Sequence, residues 1–314
     1  MSAPVVIFGA TGFIGRNLTA YLKGTRERIV AVSRNGGPVD GATECVAIRD
    51  IDSISPLPKG TIAINVAAYR YDASRAASLH SDILVTNTAI VNRFYEFCLA
   101  LSIREVRAAS SVAVYPANRD VLDDLIPVDL NSPPNPSETF YAWSKRWGEV
   151  VADLYREKYG ISTLSFRLSN PYGPHDSLDE KQAHVLPAFV IRALRTRGDF
   201  EIRGSPDVER DFIYVGDVCD VFARSLSAEG QHGAMNLCSG KTTTLREVAE
   251  TIFRVTGQRR QIVSAHASAQ GVAVRRSTNA TVIEQFGKSD FCDLADGLTP
   301  TISWYAGAIG LQQH

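Results

Sequence analysis

"VVIFGATGFIG", residues 5–15, runs from an unbroken apolar stretch straight into three glycines spaced three apart, Gly9, Gly12 and Gly15. The stretch that follows, "FIGRNLTAYLKG" (13–24), is amphipathic, so the whole segment predicts a strand, a sharp turn and a helix. Glycines at such a turn serve either a tight structural bend or the close approach of a pyrophosphate to the positive end of the helix. Their place at the first strand–helix junction favours the second reading, with Thr11, Phe13 and Ile14 on the same loop. The spacing departs from the standard dinucleotide fingerprint, whose first two glycines lie two apart.

Outward from this segment, short apolar runs alternate with helical patterns. "RIVAVS" (28–33), "TIAINVAA" (61–68), "REVRAASS" (104–111) and "STLSFRL" (162–168) are continuous in apolar character, as in a parallel sheet covered on both faces. "DILVTNTAIVNRFYEFCLAL" (82–101) and "SETFYAWSKRWGEVVADLYREKYG" (137–160) carry helical spacing between them. The alternation predicts an α/β fold with a doubly wound parallel sheet of the Rossmann type.

Composition narrows the partners. Thirty-three Lys+Arg against 34 Asp+Glu give a formal charge of −1, which offers no surface for nucleic acid. No apolar run has membrane-spanning length, and "MSAPVVIFGATG" lacks a basic region followed by a cleavable apolar segment, so a cytoplasmic protein is expected. The five cysteines show no CxxC or Cys/His spacing and predict reduced thiols and no metal site.

In an NAD-binding fold the second strand ends in an acid that takes the ribose 2′-hydroxyl. Here Ser33, Arg34 and Asn35 stand at that end. A cation with a hydroxyl suits the 2′-phosphate of NADP, so NADP is the expected cofactor, with NAD as the alternative; Arg34 as a solvated loop residue is the competing reading. Asp50, beside Ile51, is either an adenine-side contact or a helix cap.

"YAWSK" places Tyr141 and Lys145 one helical turn apart on one face. A nearby ammonium favours the phenolate and lowers the tyrosine pKa, fitting Tyr141 to exchange a proton with an alcohol or carbonyl oxygen while hydride moves at the carbon. A serine ending the neighbouring run, in "SSVAVYP" (110–116), would hold the same oxygen.

Together with "NVAA" (65–68), Asn87 in "VTNTA", "RLSNPYGPHD" (167–176), "HVLPAFVIRAL" (184–194), "ERDFIYVGDV" (209–218) and "DGLTPTISWY" (296–305), these motifs resemble the extended short-chain dehydrogenase/reductases that act on nucleotide sugars, the NAD-dependent epimerase/dehydratases. The resemblance spans nearly the whole chain. It implies a catalytic Ser111, Tyr141 and Lys145, with cofactor contacts from Ala67, Asn87, Tyr141 and Lys145. Asn170 and Arg210 are implied on the nucleotide-sugar side, with an ion-paired surface arginine as the other reading of Arg210; Arg275 and Arg276 either reach the nucleotide, Arg275 being the candidate, or stand as a solvated pair. It further implies a cofactor domain of residues 1–169 joined by about 211–240, a substrate domain of 170–210 and 241–314, and a homodimer. The dimer would pack through helices near 82–100 and 138–158 into a four-helix bundle, with Phe94, Phe97, Leu101, Val150, Val151 and Leu154 as its apolar residues. Trp143 and Trp147 read as packing residues, and Ser110 as a packing serine beside Ser111.

The residues after Ser111 separate the reactions of this family. Its 4,6-dehydratases resemble one another in an Asp-Glu pair directly after the catalytic hydroxyl, and its decarboxylases carry a glutamate two residues beyond it. This chain has Val112 and Ala113 there, which speaks against both. "NPYGPHDS" with "AHVLPA" is similar to the GDP-fucose synthases, in which a cysteine two residues after the serine and a histidine exchange protons at C3 and C5. His184 matches the histidine, either as a proton carrier or substrate donor or as a helix-start residue; Ala113 occupies the cysteine position. The expected activity is reduction of an NDP-4-keto-6-deoxy sugar at C4. A 4-epimerase with retained NAD is the alternative, and a non-catalytic dinucleotide sensor a remote one.

Overall fold

The computed structural model describes residues 3–69, 78–265 and 276–310. The first half alternates strand and helix: β1 (Val5–Phe8), α1 (Phe13–Leu22), β2 (Ile29–Ser33), β3 (Glu44–Ala47), β4 (Ile62–Asn65), α2 (His80–Ala100), β5 (Glu105–Ser111), the short β6 (Val121–Leu122), α3 (Thr139–Tyr159) and β7 (Ser162–Leu168). The second half holds β8 (Asn170–Tyr172), α4 (Val185–Arg195), β9 (Phe200–Arg203), β10 (Glu209–Arg210), β11 (Phe212–Tyr214), α5 (Val215–Ser225) and β12 (Gly233–Leu237). It closes with β13 (Thr243–Thr244), α6 (Leu245–Val255), β14 (Ile262–Ala265), β15 (Arg276–Ser277), α7 (Ala280–Phe286) and α8 (Leu294–Ala308).

Seven strands form one parallel sheet in the order β12-β7-β5-β4-β1-β2-β3. Its strands are apolar on both sides because helices cover both faces. β1 shows how: successive side chains point to opposite faces, so Val5 and Ile7 join one core cluster while Val6 and Phe8 join the other. The first cluster lies under α1 and α5, with Leu18, Leu22, Val218 and Phe222 fully buried; the second lies under α2 and α3, with Phe94, Tyr95, Cys98 and Val151. Burying each such side chain stabilises the fold by about 1.5–3 kcal/mol. The third apolar cluster joins α4, β9, α6 and α8 through Phe189, Phe200, Ile252 and Ile302.

Some residues differ in place from the sequence reading. Trp143 and Trp147 are 37% and 41% exposed, not packed inside: Trp143 lies against the Arg146 guanidinium and the Trp147 indole donates to Asn92 of α2. Of the apolar residues assigned to a bundle face, Phe94 and Val151 lie in the core while Leu154 is 53% exposed. The helical period had left the choice of inward face open. One contact joins the two halves: the Asn17 amide of α1 donates both to the Phe13 carbonyl (2.9 Å) and to the Pro174 carbonyl (2.8 Å).

Candidate functional site

The loop between β1 and α1 is built from absent side chains. Gly9 has φ +84°, and a Cβ there would meet the Ala67 backbone at 2.6 Å; a Cβ on Gly15 would stand 2.2 Å from the Gly9 carbonyl oxygen. These two glycines are therefore required by the fold itself. Gly12 is different: it is exposed, at an ordinary φ, and a Cβ would touch only the Gly9 oxygen at 3.2 Å. It caps α1 with no side chain on the first N–H groups and no acid in the first turn. Unsatisfied donors at an uncovered positive helix end suit an anionic pyrophosphate. Thr11 and Ile14 are half-buried on this loop, while Phe13 is turned into the core.

At the end of β2 the Ser33 hydroxyl accepts from the Gly36 N–H at 3.0 Å, which shapes the turn and leaves Arg34 exposed. No described residue bonds the Arg34 guanidinium. Asp50 is exposed and lies 3.5 Å from Arg49; the Ile51 side chain is buried in the core, so it presents only main chain to a ligand. Asn87 is buried and donates to the Ile83 carbonyl, while its oxygen accepts from the Tyr69 N–H. It thereby fixes the chain after β4, where Ala67 donates to Asn65 and faces Gly9.

Beside this loop, β5 ends at Ser111 and a single turn of 3-10 helix follows over Val112–Val114. The Ser111 hydroxyl oxygen accepts from the Ala113 N–H at 3.2 Å, and α3 packs on that turn. Ala113 is 1% exposed. On α3 the Lys145 ammonium lies 5.6 Å from the Tyr141 ring centroid and donates to the Ala109 carbonyl at 3.0 Å. Desolvation lowers the Lys145 pKa to about 8, partly offset by the Glu149 carboxylate.

Sequence reasoning missed what stands behind this pair. The Ser110 hydroxyl donates to Glu149 Oε1 at 2.6 Å, and Glu149 takes two further bonds from Arg167 of β7, at 2.8 and 3.0 Å. Arg167 also donates to the Tyr115 hydroxyl (3.0 Å), which donates to Asn236 (2.8 Å). Burial pushes the Tyr115 pKa up to about 12, against the pull of Arg167. Burial opposes the Arg167 charge too, but Glu149 outweighs it and holds the guanidinium charged. The signals in the sequence were a glutamate four residues after Lys145 and an arginine inside an otherwise apolar strand.

On the other side of the loop, His184 caps α4 and its Nδ1 lies 2.6 Å from Asp176 Oδ2, with the Asp176 side chain fully buried and the imidazole half-exposed near the Phe13 ring. Asn170 opens β8 and donates to the Asp211 carbonyl at 2.8 Å. The buried Asp211 carboxylate accepts from Ser169, Ser239 and Gly240; burial raises its pKa, and these bonds counter the rise. Arg210 lies next to it on β10 and donates to the Glu209 carbonyl. Arg275 falls outside the described residues. Among those described, no cluster suits a metal ion, and no helix is long and apolar enough to cross a membrane.

The chain is similar over 96% of its length to 95% of a dTDP-4-dehydro-6-deoxy-D-allose reductase from a Streptomyces species, at 24% identity. A probable GDP-L-fucose synthase 1 from Oryza sativa subsp. japonica is 24% identical over 246 residues, 74% of each chain. In fold it is similar to a UDP-N-acetylglucosamine 4-epimerase from Methanobrevibacter ruminantium, with a TM-score of 0.81 at 20% identity over 98% of this chain and 99% of the other. The sequence model of the NAD dependent epimerase/dehydratase family matches residues 5–238, from the glycine turn through the Tyr141–Lys145 helix to the last strand of the sheet. The chain belongs to that family.

Proposed function

We propose that the protein reduces the C4 carbonyl of an NDP-4-keto-6-deoxy sugar, using NADPH. The observation that carries this reading is the pairing of a proton-handling group with an inert neighbour: Lys145 stands under the Tyr141 ring, while buried Ala113 fills the place where a second acid or base would act. When bound, the nicotinamide supplies the hydride. Tyr141 gives its phenolic proton to the C4 oxygen, and the Lys145 ammonium stabilises the phenolate left behind. Ser111, its oxygen already accepting from Ala113 N–H, has its O–H to donate to the same oxygen. The carbonyl thus gains one hydride and one proton and leaves as the alcohol.

Arg34 supports NADP over NAD, since an exposed guanidinium at the end of β2 suits a 2′-phosphate. Val112 and Ala113 argue against 4,6-dehydration and decarboxylation, which need acid and base at those positions. Residues 1–169 with 211–240 are assigned to the cofactor half, and 170–210 with 241–314, including Asn170, His184, Arg210 and Arg275, to the nucleotide-sugar half. The exposed Val85, Trp143, Trp147 and Leu154 support a homodimer through α2 and α3.

The test offers GDP-4-keto-6-deoxymannose and its dTDP counterpart with NADPH in deuterated water. Consumption of NADPH with no deuterium at C3 or C5 is expected. Deuterium at those carbons defeats the argument from Ala113 and makes His184 the proton carrier. Conversion of a UDP-hexose with no added cofactor, by protein that retains NAD, replaces the reductase with the 4-epimerase.

A further inference from the structure

Glu149 lies one turn beyond Lys145 on α3, so Tyr141, Lys145 and Glu149 form one stripe at successive spacings of four. The stripe faces the end of β5 in matched order. Lys145 donates to the Ala109 carbonyl and Glu149 accepts from the very next residue, Ser110. Glu149 is in turn fixed by two bonds from Arg167, which the Tyr115 ring covers at 5.0 Å from the guanidinium carbon. We infer that Glu149 is a positioning residue for the Tyr141–Lys145 pair: it locks α3 to the end of β5 and places a fixed negative charge behind the ammonium. The inference rests on the reading of Tyr141 and Lys145 as the proton-handling pair, and it adds a residue that touches neither substrate nor cofactor.

The physical reason is local. A desolvated ammonium sheds its proton readily, and an anion close by opposes that loss. Of the groups around Lys145, Ala109 gives only a carbonyl dipole; the Glu149 carboxylate is what offsets the burial. Arg167 on β7 and Tyr115 beyond it face Glu149 from the far side, and Arg146 of α3 is turned to the Val114 and Ser132 carbonyls. The two bonds from Arg167 fix the Glu149 carboxylate in place.

The test titrates the Lys145 side-chain nitrogen by NMR in lysine-labelled protein, assigned with Lys145→Arg, and follows kcat/KM for the reduction against pH. In Glu149→Gln the nitrogen midpoint is expected to fall by about one pH unit, a tenfold loss of proton affinity. The alkaline limb of kcat/KM should move down with it, kcat should fall more than KM changes, and Glu149→Asp should restore most of both. Glu149→Gln leaves Arg167 buried without its partner; if it does not fold, Glu149→Gln with Arg167→Met is compared with Arg167→Met alone, so that the difference again reports the carboxylate. An unmoved nitrogen midpoint in a folded variant overturns the role of Glu149. A midpoint that moves while the activity limb stays in place upholds Glu149 and overturns the reading of Lys145 in catalysis.

Discussion

Ser111 and Lys145 are each half committed before any ligand arrives. The serine oxygen holds the Ala113 N–H and the ammonium holds the Ala109 carbonyl, so what remains to each is a donor, suited to an oxygen that gains negative charge. In the proposed reduction, Tyr141 is the residue that gives up a proton outright. Tyr141→Phe keeps the ring beside Lys145 and removes only that proton, so turnover should drop by at least about a hundredfold, the ordinary scale of a general acid. Cofactor affinity by fluorescence titration should stay close to that of the parent; retained activity in the variant would remove Tyr141 from the mechanism. The Lys145 value of about 8 sets a second expectation: carbonyl reduction should decline as pH rises through about 8, where the ammonium is lost. The sign for stability is opposite. The folded protein binds this proton less tightly than the unfolded chain, so between about 8 and the ordinary lysine value the group's contribution to stability grows with pH. Thermal melts run beside the rate profile should therefore show no matching loss of stability from this group.

At the scale of the element, the loop between β1 and α1 separates two kinds of glycine. Gly15→Ala drives a Cβ into backbone at 2.2 Å and should destabilise the fold by about 1–3 kcal/mol, the cost of an overpacked core, read as a lowered melting temperature. Gly12→Ala meets only one oxygen at 3.2 Å. It should melt close to the parent yet bind NADPH more weakly, because the methyl stands where phosphate would approach the helix; unchanged binding would put the pyrophosphate elsewhere. β1, β2, β4 and β7 were legible because they are buried on both faces, and α2 and α3 because they are long enough to show their period. The short strands were not. β8 exists because Asn170 pairs with Phe212, and β9 because Arg203 pairs with Ala265, partners some forty to sixty residues away that no local pattern announces. The site divides in the same way. Tyr141 and Lys145 share one turn of helix and could be read from spacing, whereas the Ser110–Glu149–Arg167 chain and the Asp176–His184 pair exist only once separate segments meet.

Across the whole molecule, the proposed homodimer would cover exposed apolar residues of α2 and α3. Val85 and Leu154 are 64% and 53% exposed, and Trp143 and Trp147 are exposed as well. Light scattering at micromolar concentration should give the mass of a dimer. Leu154→Glu, which places a charge on that face without entering the core, should give a monomer of unchanged melting profile at matched low concentration. A monomeric parent would refute the assembly.

The forked bond of Asn17 constrains how this protein breathes. One amide holds the first turn of α1 and the Pro174 carbonyl together, so the segment bearing His175 and Asp176 is hitched to the helix that begins at the glycine turn. Pulling that segment away would strand a carbonyl and an amide hydrogen at once. The rim of the site on the His184 side is therefore moored to the glycine turn, and the two can shift only as one piece.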